Sequence, residues 1–344
     1  MHFDAVGIDT PCVDLAANVD TYPGSNETEL VNEVSWQGGG KVGTGLAAAA
    51  RLGIHGAVLG SVGDDSYGRF CDEDFRRHGL NTDGLKLRAG RTTNFDIIVS
   101  NKETMERAIL VHRGTAEAYR EEEIPAGFLT STDYFYLSKV TDTTRSAART
   151  AKKAGAKIFI DADSYAPELA EMIPEIDVFV GSEFVYDALF AAPEAGQKAE
   201  PDTGVWQKAA EASQKAPKDS ASRQKFCERI AAQGPQIVIF TFGEKGLCGV
   251  GPEGYFEVPA YHVQVVDTVG AGDVFHGAFL AGLVKGYPVK EAARFASAVS
   301  AVKCTRIGGR AGIPDTETAL HFMKTGEIDY TEIDRRVALY RKGL

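Results

Sequence analysis

Apolar positions along the chain fall into blocks of two kinds. The first is a run of about four to eight apolar residues bounded by turn formers, the pattern of a strand buried on both faces. Phe3–Ile8, Ala57–Val62, Tyr134–Leu137, Lys157–Ile160, Asp177–Val180 and Ile237–Phe242 read this way. The second has helical spacing. Leu46–Leu52 is a helix of small residues, suited to close packing on a sheet. Tyr67–His78 sets Phe70 and Phe75 on related faces and stops at Gly79, and Thr143–Ala154 stops at Gly155. Asp273–Val284 and Glu291–Lys303 are two further helices. From residue 134 onward strand and helix alternate, which predicts an α/β fold with a mostly parallel central sheet flanked by helices on both faces.

Two segments break that rhythm. Within 18–36, Glu29–Trp36 alternates apolar and polar residues at Leu30, Val31, Val34 and Trp36. Within 91–113, Thr92–Ser100 and Arg107–His112 are strands joined by the polar NKETME. Together they predict a small β-sheet inserted into the main domain as a lid. Residues 191–222 are rich in Ala, Glu, Lys, Gln and Pro, with Val205 and Trp206 as the main apolar residues to bury, and read as a surface insertion.

Composition narrows the function classes. Acidic residues outnumber basic ones by 48 to 37, a net charge of −11, which argues against nucleic acid as a partner. No run of apolar residues reaches the length of a membrane span, and the start MHFDAVGIDT lacks the basic and apolar regions of a signal peptide. Cys12, Cys71, Cys227, Cys248 and Cys304 are scattered with no C-x-x-C pair, against zinc or a disulfide scaffold, so a reducing cytoplasm is expected. Glycine is in surplus, 37 of 344 residues. It destabilises helices and strands, so the surplus points to turns that require it.

Two glycine-rich loops hold the candidate chemistry. Gly38-Gly39-Gly40-Lys41-Val42-Gly43-Thr44-Gly45 sits between a strand and a helix, where backbone N–H groups can grip an anion or a hydroxyl-rich ligand. Gly38, Gly40 and Gly43 formally satisfy the dinucleotide fingerprint, with Asp64 and Asp65 further on, so an NAD-dependent oxidoreductase is an alternative. The preceding Ser35-Trp36-Gln37 is half polar, unlike the buried first strand of such a unit. The second loop, Asp267-Thr268-Val269-Gly270-Ala271-Gly272-Asp273, opens a helix. Its amides and the helix dipole favour a phosphoryl group, and Asp273 in the first turn is expected to stay ionised and take a proton from an attacking hydroxyl.

That second loop and its small-residue helix resemble the signature of the PfkB (ribokinase-like) carbohydrate kinases. The 38–45 loop resembles the family's other glycine motif, Gly60–Gly68 its G-x-D-x-x-G stretch, Thr241–Gly246 its nucleotide-side turn, and Gly7–Asp14 its opening strand with a sugar-binding Asp. The resemblance implies a ribokinase-like fold with a β lid and ATP-dependent phosphorylation of a sugar, with ATP and Mg2+. Asp273 would be the base, with Gly270, Ala271 and Gly272 as the anion hole. Asp14, Gly39, Gly40, Lys41 and Thr44 would line the sugar pocket, and Arg113 falls where acid-sugar kinases place an Arg. Thr241, Gly243, Gly246, Thr268 and Ser182 would face the nucleotide. Asp267, Val269 and Gly308 resemble the monovalent-cation loop, implying K+. The family's N-x-x-E motif is altered to Ser182-Glu183-Phe184-Val185, with Glu183 or Asp187 as substitutes. A homodimer through the lid is expected. A catalytically silent sugar or nucleoside binder on the same fold is the remaining alternative.

Overall fold

The computed structural model describes residues 2–104, 106–191 and 216–343. Its larger sheet is built from β1 (Phe3–Ile8), β4 (Gly56–Gly63), β5 (Leu85–Arg88), β8 (Thr132–Leu137), β9 (Lys157–Ala162), β10 (Val178–Ser182), β11 (Ile237–Thr241), β12 (Leu247–Gly251) and β13 (Gly254–Val258). The spatial order is β13-β12-β11-β10-β9-β8-β1-β4-β5. Pairing is parallel from β5 through β11 and antiparallel at the β11–β12–β13 edge. Successive strand residues serve opposite faces, as the pleat requires. Ala5, Val58 and Phe159 join one core, and Val6, Leu59 and Ile160 join the other.

The first core is covered by α1 (Lys41–Arg51), α2 (Ser66–Arg77), α7 (Ala271–Val284) and α8 (Val289–Lys303). The second is covered by α3 (Asp142–Lys153), α4 (Pro167–Met172), α5 (Glu183–Ala191) and α6 (Ser220–Ala231). Helices α9 (Thr316–Thr325) and α10 (Thr331–Tyr340) close a third cluster around Phe322, Ile333 and Tyr340. The expected surface insertion at 191–222 falls largely on 192–215, outside the described residues; α6 begins within its last part.

The smaller sheet has the order β3-β2-β6-β7, from β2 (Cys12–Val19), β3 (Val31–Gly38), β6 (Asn94–Asn101) and β7 (Arg107–His112). It starts at Cys12 rather than at 18. β2, whose first residues Cys12–Asp14 the sequence grouped with the opening strand, lies centrally, parallel to β6 and antiparallel to β3. The polarity of β3 is also the reverse of the ordinary pattern. Ser35 and Gln37 are fully buried, while Leu30, Val31 and Val34 are exposed. The burial is tolerated because every polar group there is matched. Gln37 donates to Ser35 Oγ (2.7 Å) and Ile307 O (2.9 Å), and its oxygen accepts from the amides of Arg310 and Ala311. No helix among the described residues is long and apolar enough to cross a membrane.

Candidate active site

Parallel strands deliver their following loops to one edge of a sheet, and ligands bind there. The chain leaves β1 at Asp9, crosses into β2, and returns from β3 through Gly39 and Gly40 into α1. Asp9, Asp14, Gly40, Lys41 and Thr44 thereby meet at one end of a cleft of about 780 Å³, whose other end is formed by Ser182, Thr241 and the 268–273 turn. Gly40 has φ +93°, and a Cβ there would lie 2.1 Å from Asp9 Oδ2, so two separate constraints demand glycine. Asp9 Oδ2 accepts from the Gly43 amide (3.0 Å), fixing the first turn of α1 against β1. Gly43 and Gly45 lie inside that helix rather than in a loop.

At the other end, Gly270 caps α7 with φ +71°, and a Cβ there would press on Gly309. Asp273 is the third residue of the helix. Ala271 N–H, expected in the anion hole, is bonded instead to Thr268 O (3.1 Å) because the turn closes on itself. The amides of Gly270, Gly272 and Asp273 make no hydrogen bond among the described residues. Asp273 also departs from expectation. Burial, with the charges of Asp161, Asp9 and Asp14, pushes its carboxyl up to about 8, against the lowering influence of Lys41. The low-dielectric setting outweighs the helix terminus.

Behind Asp273, His276 Nδ1 donates to Gly272 O (2.5 Å), and Nε2 lies 3.4 Å from Asp161. This buried histidine locks the Gly272 peptide. Asp9, Asp96, Asp161, Asp163 and His276 line the cleft and were not singled out from the sequence. Asp161 and Asp163 carried a usable signal, since they stand at the carboxyl end of a parallel strand, the first within it and the second just after it. His276 is one turn from Asp273.

At the end of the cleft formed by α1 and the small sheet, burial pushes Asp14 up to about 7, aided by Asp96 and Asp9. Its Oδ1 accepts from Cys12 Sγ (3.2 Å). Lys41 forms an ion pair with Asp163 across the cleft. Thr44 Oγ1 accepts from Arg310 Nε (3.2 Å), and Gly39 lies behind the wall, its carbonyl accepting from Arg310 Nη2 (2.7 Å). Arg310 is fully buried, and Asp74, also fully buried, balances it at 2.7 Å. Arg113 lines the cleft at the exposed end of β7.

At the end expected to face the nucleotide, Ser182, Thr241 and Thr268 line the cleft. Ser182 Oγ donates to Asp163 O (3.2 Å). Gly243 and Gly246 are turn residues off the lining. Gly246 has φ +81°, and a Cβ there would strike Val258 O. Glu183 and Asp187, the expected substitutes in the altered motif, both pair with Lys218. A divalent cation fits the wall chemically, because the Asp163 carboxylate and the Ser182 hydroxyl are hard oxygen donors of the class Mg2+ takes. A monovalent ion does not fit at Asp267, Val269 and Gly308. The carbonyls of Asp267 (3.0 Å) and Val269 both accept from the ammonium of buried Lys303, and Gly308 N–H is bonded to Asp267 Oδ2 (2.8 Å).

Comparison with known proteins agrees with this layout. The model of the pfkB family carbohydrate kinases matches residues 4–316. A 5-dehydro-2-deoxygluconokinase of Shouchella clausii (strain KSM-K16) is 27% identical over 338 residues, covering 91% of this chain and 93% of that protein. Ribokinase from Thermotoga maritima superposes with a TM-score of 0.72 at 24% identity, covering 94% of this chain and 100% of that one. Arabidopsis thaliana ribokinase, solved with ribose and ATP, gives 0.71 at 20% identity over 94% and 99%. With the glycine loops, the parallel sheet and the cleft all in the expected relation, the chain belongs to the pfkB family of carbohydrate kinases.

Proposed function

We propose that the protein transfers the γ-phosphoryl group of ATP to a hydroxyl of a sugar or sugar-like molecule, with Asp273 as general base. The observation that carries this reading is the position of Asp273 between two differently furnished ends of one cleft. One end offers Asp9, Asp14 and Asp96 as hydroxyl acceptors, with the Gly40 turn close by. The other offers Thr241, Ser182 and the open amides of Gly270 and Gly272 to phosphates. A hydroxyl seated beside Asp273 loses its proton to the carboxylate as it attacks in line, and the amides take up the charge of the transferring group. Mg2+, when bound, neutralises phosphate oxygens; Asp163 and Ser182 are the residues that would hold it or its waters. The Lys41–Asp163 pair spans the two ends, and a phosphate arriving there competes with Asp163 for the ammonium.

The acidic lining favours a neutral polyol over an anionic substrate at the deep end. Arg113 and Arg107 sit on the small sheet, where a substrate carboxylate would find a cation. The small sheet acts as a lid that excludes water. Its exposed edge strand β7, whose Ile109 and Val111 turn to the cleft and whose Leu110 turns away from it, forms the contact of a homodimer.

A coupled ADP-release screen over sugars, acid sugars and nucleosides tests the reading. One class of acceptor should release ADP, and Asp273→Asn should abolish release while ATP binding persists. Wild-type-like turnover in that variant would overturn the assignment of the base.

A further inference from the structure

Lys303 is a fully buried cation at the last residue of α8. Ordinary buried lysines sit against a carboxylate, since an unpaired ammonium is costly away from water. Among the described residues no carboxylate oxygen lies within 4.0 Å of this one. Its Nζ instead donates to two backbone carbonyls, Asp267 O and Val269 O. The carboxylate of Asp267 is turned elsewhere, accepting from Val269 N (3.0 Å), Ser100 Oγ (3.1 Å) and Gly308 N (2.8 Å). A ring of carbonyls around a univalent positive charge is how proteins strip the water from a potassium ion. Ammonium and potassium have the same charge and similar size. The loop that resembles a monovalent-cation site is therefore filled by the protein's own side chain.

The position gives the charge a task. Asp267 O belongs to the same peptide unit as Thr268 N, and Val269 O to the same unit as Gly270 N. A cation held on the oxygen of a peptide polarises its N–H, making it a stronger donor on the far side. Thr268 and Gly270 both line the cleft, and the Gly270 amide is open. The loop is also fixed from behind, because the amides of Val266 and Asp267 both donate to Cys304 O, one residue after Lys303.

We propose that Lys303 is a built-in monovalent cation, a positioning residue that holds and polarises the 267–270 loop, so that phosphoryl transfer in this protein needs no K+. This rests on the kinase reading above for its rate consequence, though not for the binding chemistry.

The test compares wild type and Lys303→Ala in KCl, NaCl and choline chloride at equal ionic strength. Wild-type ADP release should differ by less than about twofold among the salts. The Ala variant opens the carbonyl site and should lose roughly 100-fold in kcat in choline, with KM for ATP little changed, and regain much of it in KCl. A second readout needs no turnover: KCl should raise the melting temperature of Lys303→Ala above its value in choline chloride and leave wild type unmoved. This melting result stands even if no acceptor is ever phosphorylated, which separates failure of the inference from failure of the kinase reading. Lys303→Met keeps the stem's volume without charge and covers the case of an Ala variant that does not fold. It should show low kcat in all three salts, and full kcat there would overturn the proposal. Activation of wild type by K+, or an Ala variant whose turnover and melting ignore the salt, would overturn it too.

Discussion

Asp273 is held under opposing influences, and their balance predicts a pH profile. Burial, Asp161, Asp9 and Asp14 raise its carboxyl to about 8, while Lys41 lowers it. The base works only when deprotonated, so kcat/KM should climb by about tenfold per pH unit below pH 8 and level above it. A profile flat from pH 6 to 9 would contradict Asp273 as the titrating base. Stability should run the other way. A carboxyl raised in the folded state above its ordinary 3.8 lends stability that is complete below that value and lost as pH rises through about 8. Asp273→Asn should therefore gain melting temperature relative to wild type at pH 8 and not at pH 4. At this scale the sequence marked Asp14, Gly40 and Asp273, which the fold gathers in one cleft, through motifs of local spacing. It did not carry the raised carboxyl of Asp273, because the acids responsible arrive from β1, β2 and β9. Nor did it carry the loss of Ala271 N–H to Thr268 O, which depends on how tightly one turn closes.

Among the elements, α1 and α7 show what the small residues are for. A Cβ at Gly277 would lie 1.8 Å from Gly45 O, so these two helices touch backbone to backbone. That contact brings the glycine loop that starts α1 beside the turn that starts α7. Gly277→Ala should cost at least about 1–3 kcal/mol, measured by chemical denaturation, and lower turnover with it. Gly272→Ala is the informative contrast, since a Cβ there meets nothing within 4 Å. It should keep the wild-type midpoint and lose rate by intruding on the proposed phosphate site. Equal midpoints for both variants would refute the packing argument. The buried parallel strands were legible as apolar runs. β12 and β13 were not, because both are only five residues long and LCGVG is also interrupted by glycine. β3 misled more deeply. Alternation marked a strand, but its buried side chains are the polar Ser35 and Gln37, which bond to each other while Gln37 is also satisfied by a turn some 270 residues away.

For the whole molecule, the apolar edge strand of the small sheet is the feature that carries the proposed dimer. Ile109, Leu110 and Val111 are 47%, 62% and 63% exposed on one edge strand, and an edge of this kind invites pairing. Light scattering should give twice the chain mass of 36.9 kDa, and Leu110→Glu should give the single-chain mass. A wild-type monomer at micromolar concentration would remove the dimer. The two-sheet division was visible in the sequence as a change from buried runs to alternation. Its boundary at Cys12 was not, because the eight residues of β2 mix small, acidic and apolar side chains without a clear period.

The root of the small sheet carries an aromatic stack. Trp36 lies 5.9 Å from Phe95, and Phe95 lies 5.2 Å from Tyr67 on α2, so the stack bridges the lid and the main body. The chain contains two tryptophans, Trp36 and Trp206. With Trp206 replaced by Phe, the emission of Trp36 becomes an optical gauge built into the root of the small sheet. Each acceptor can then be ranked by how far it swings the sheet, before any phosphate has moved.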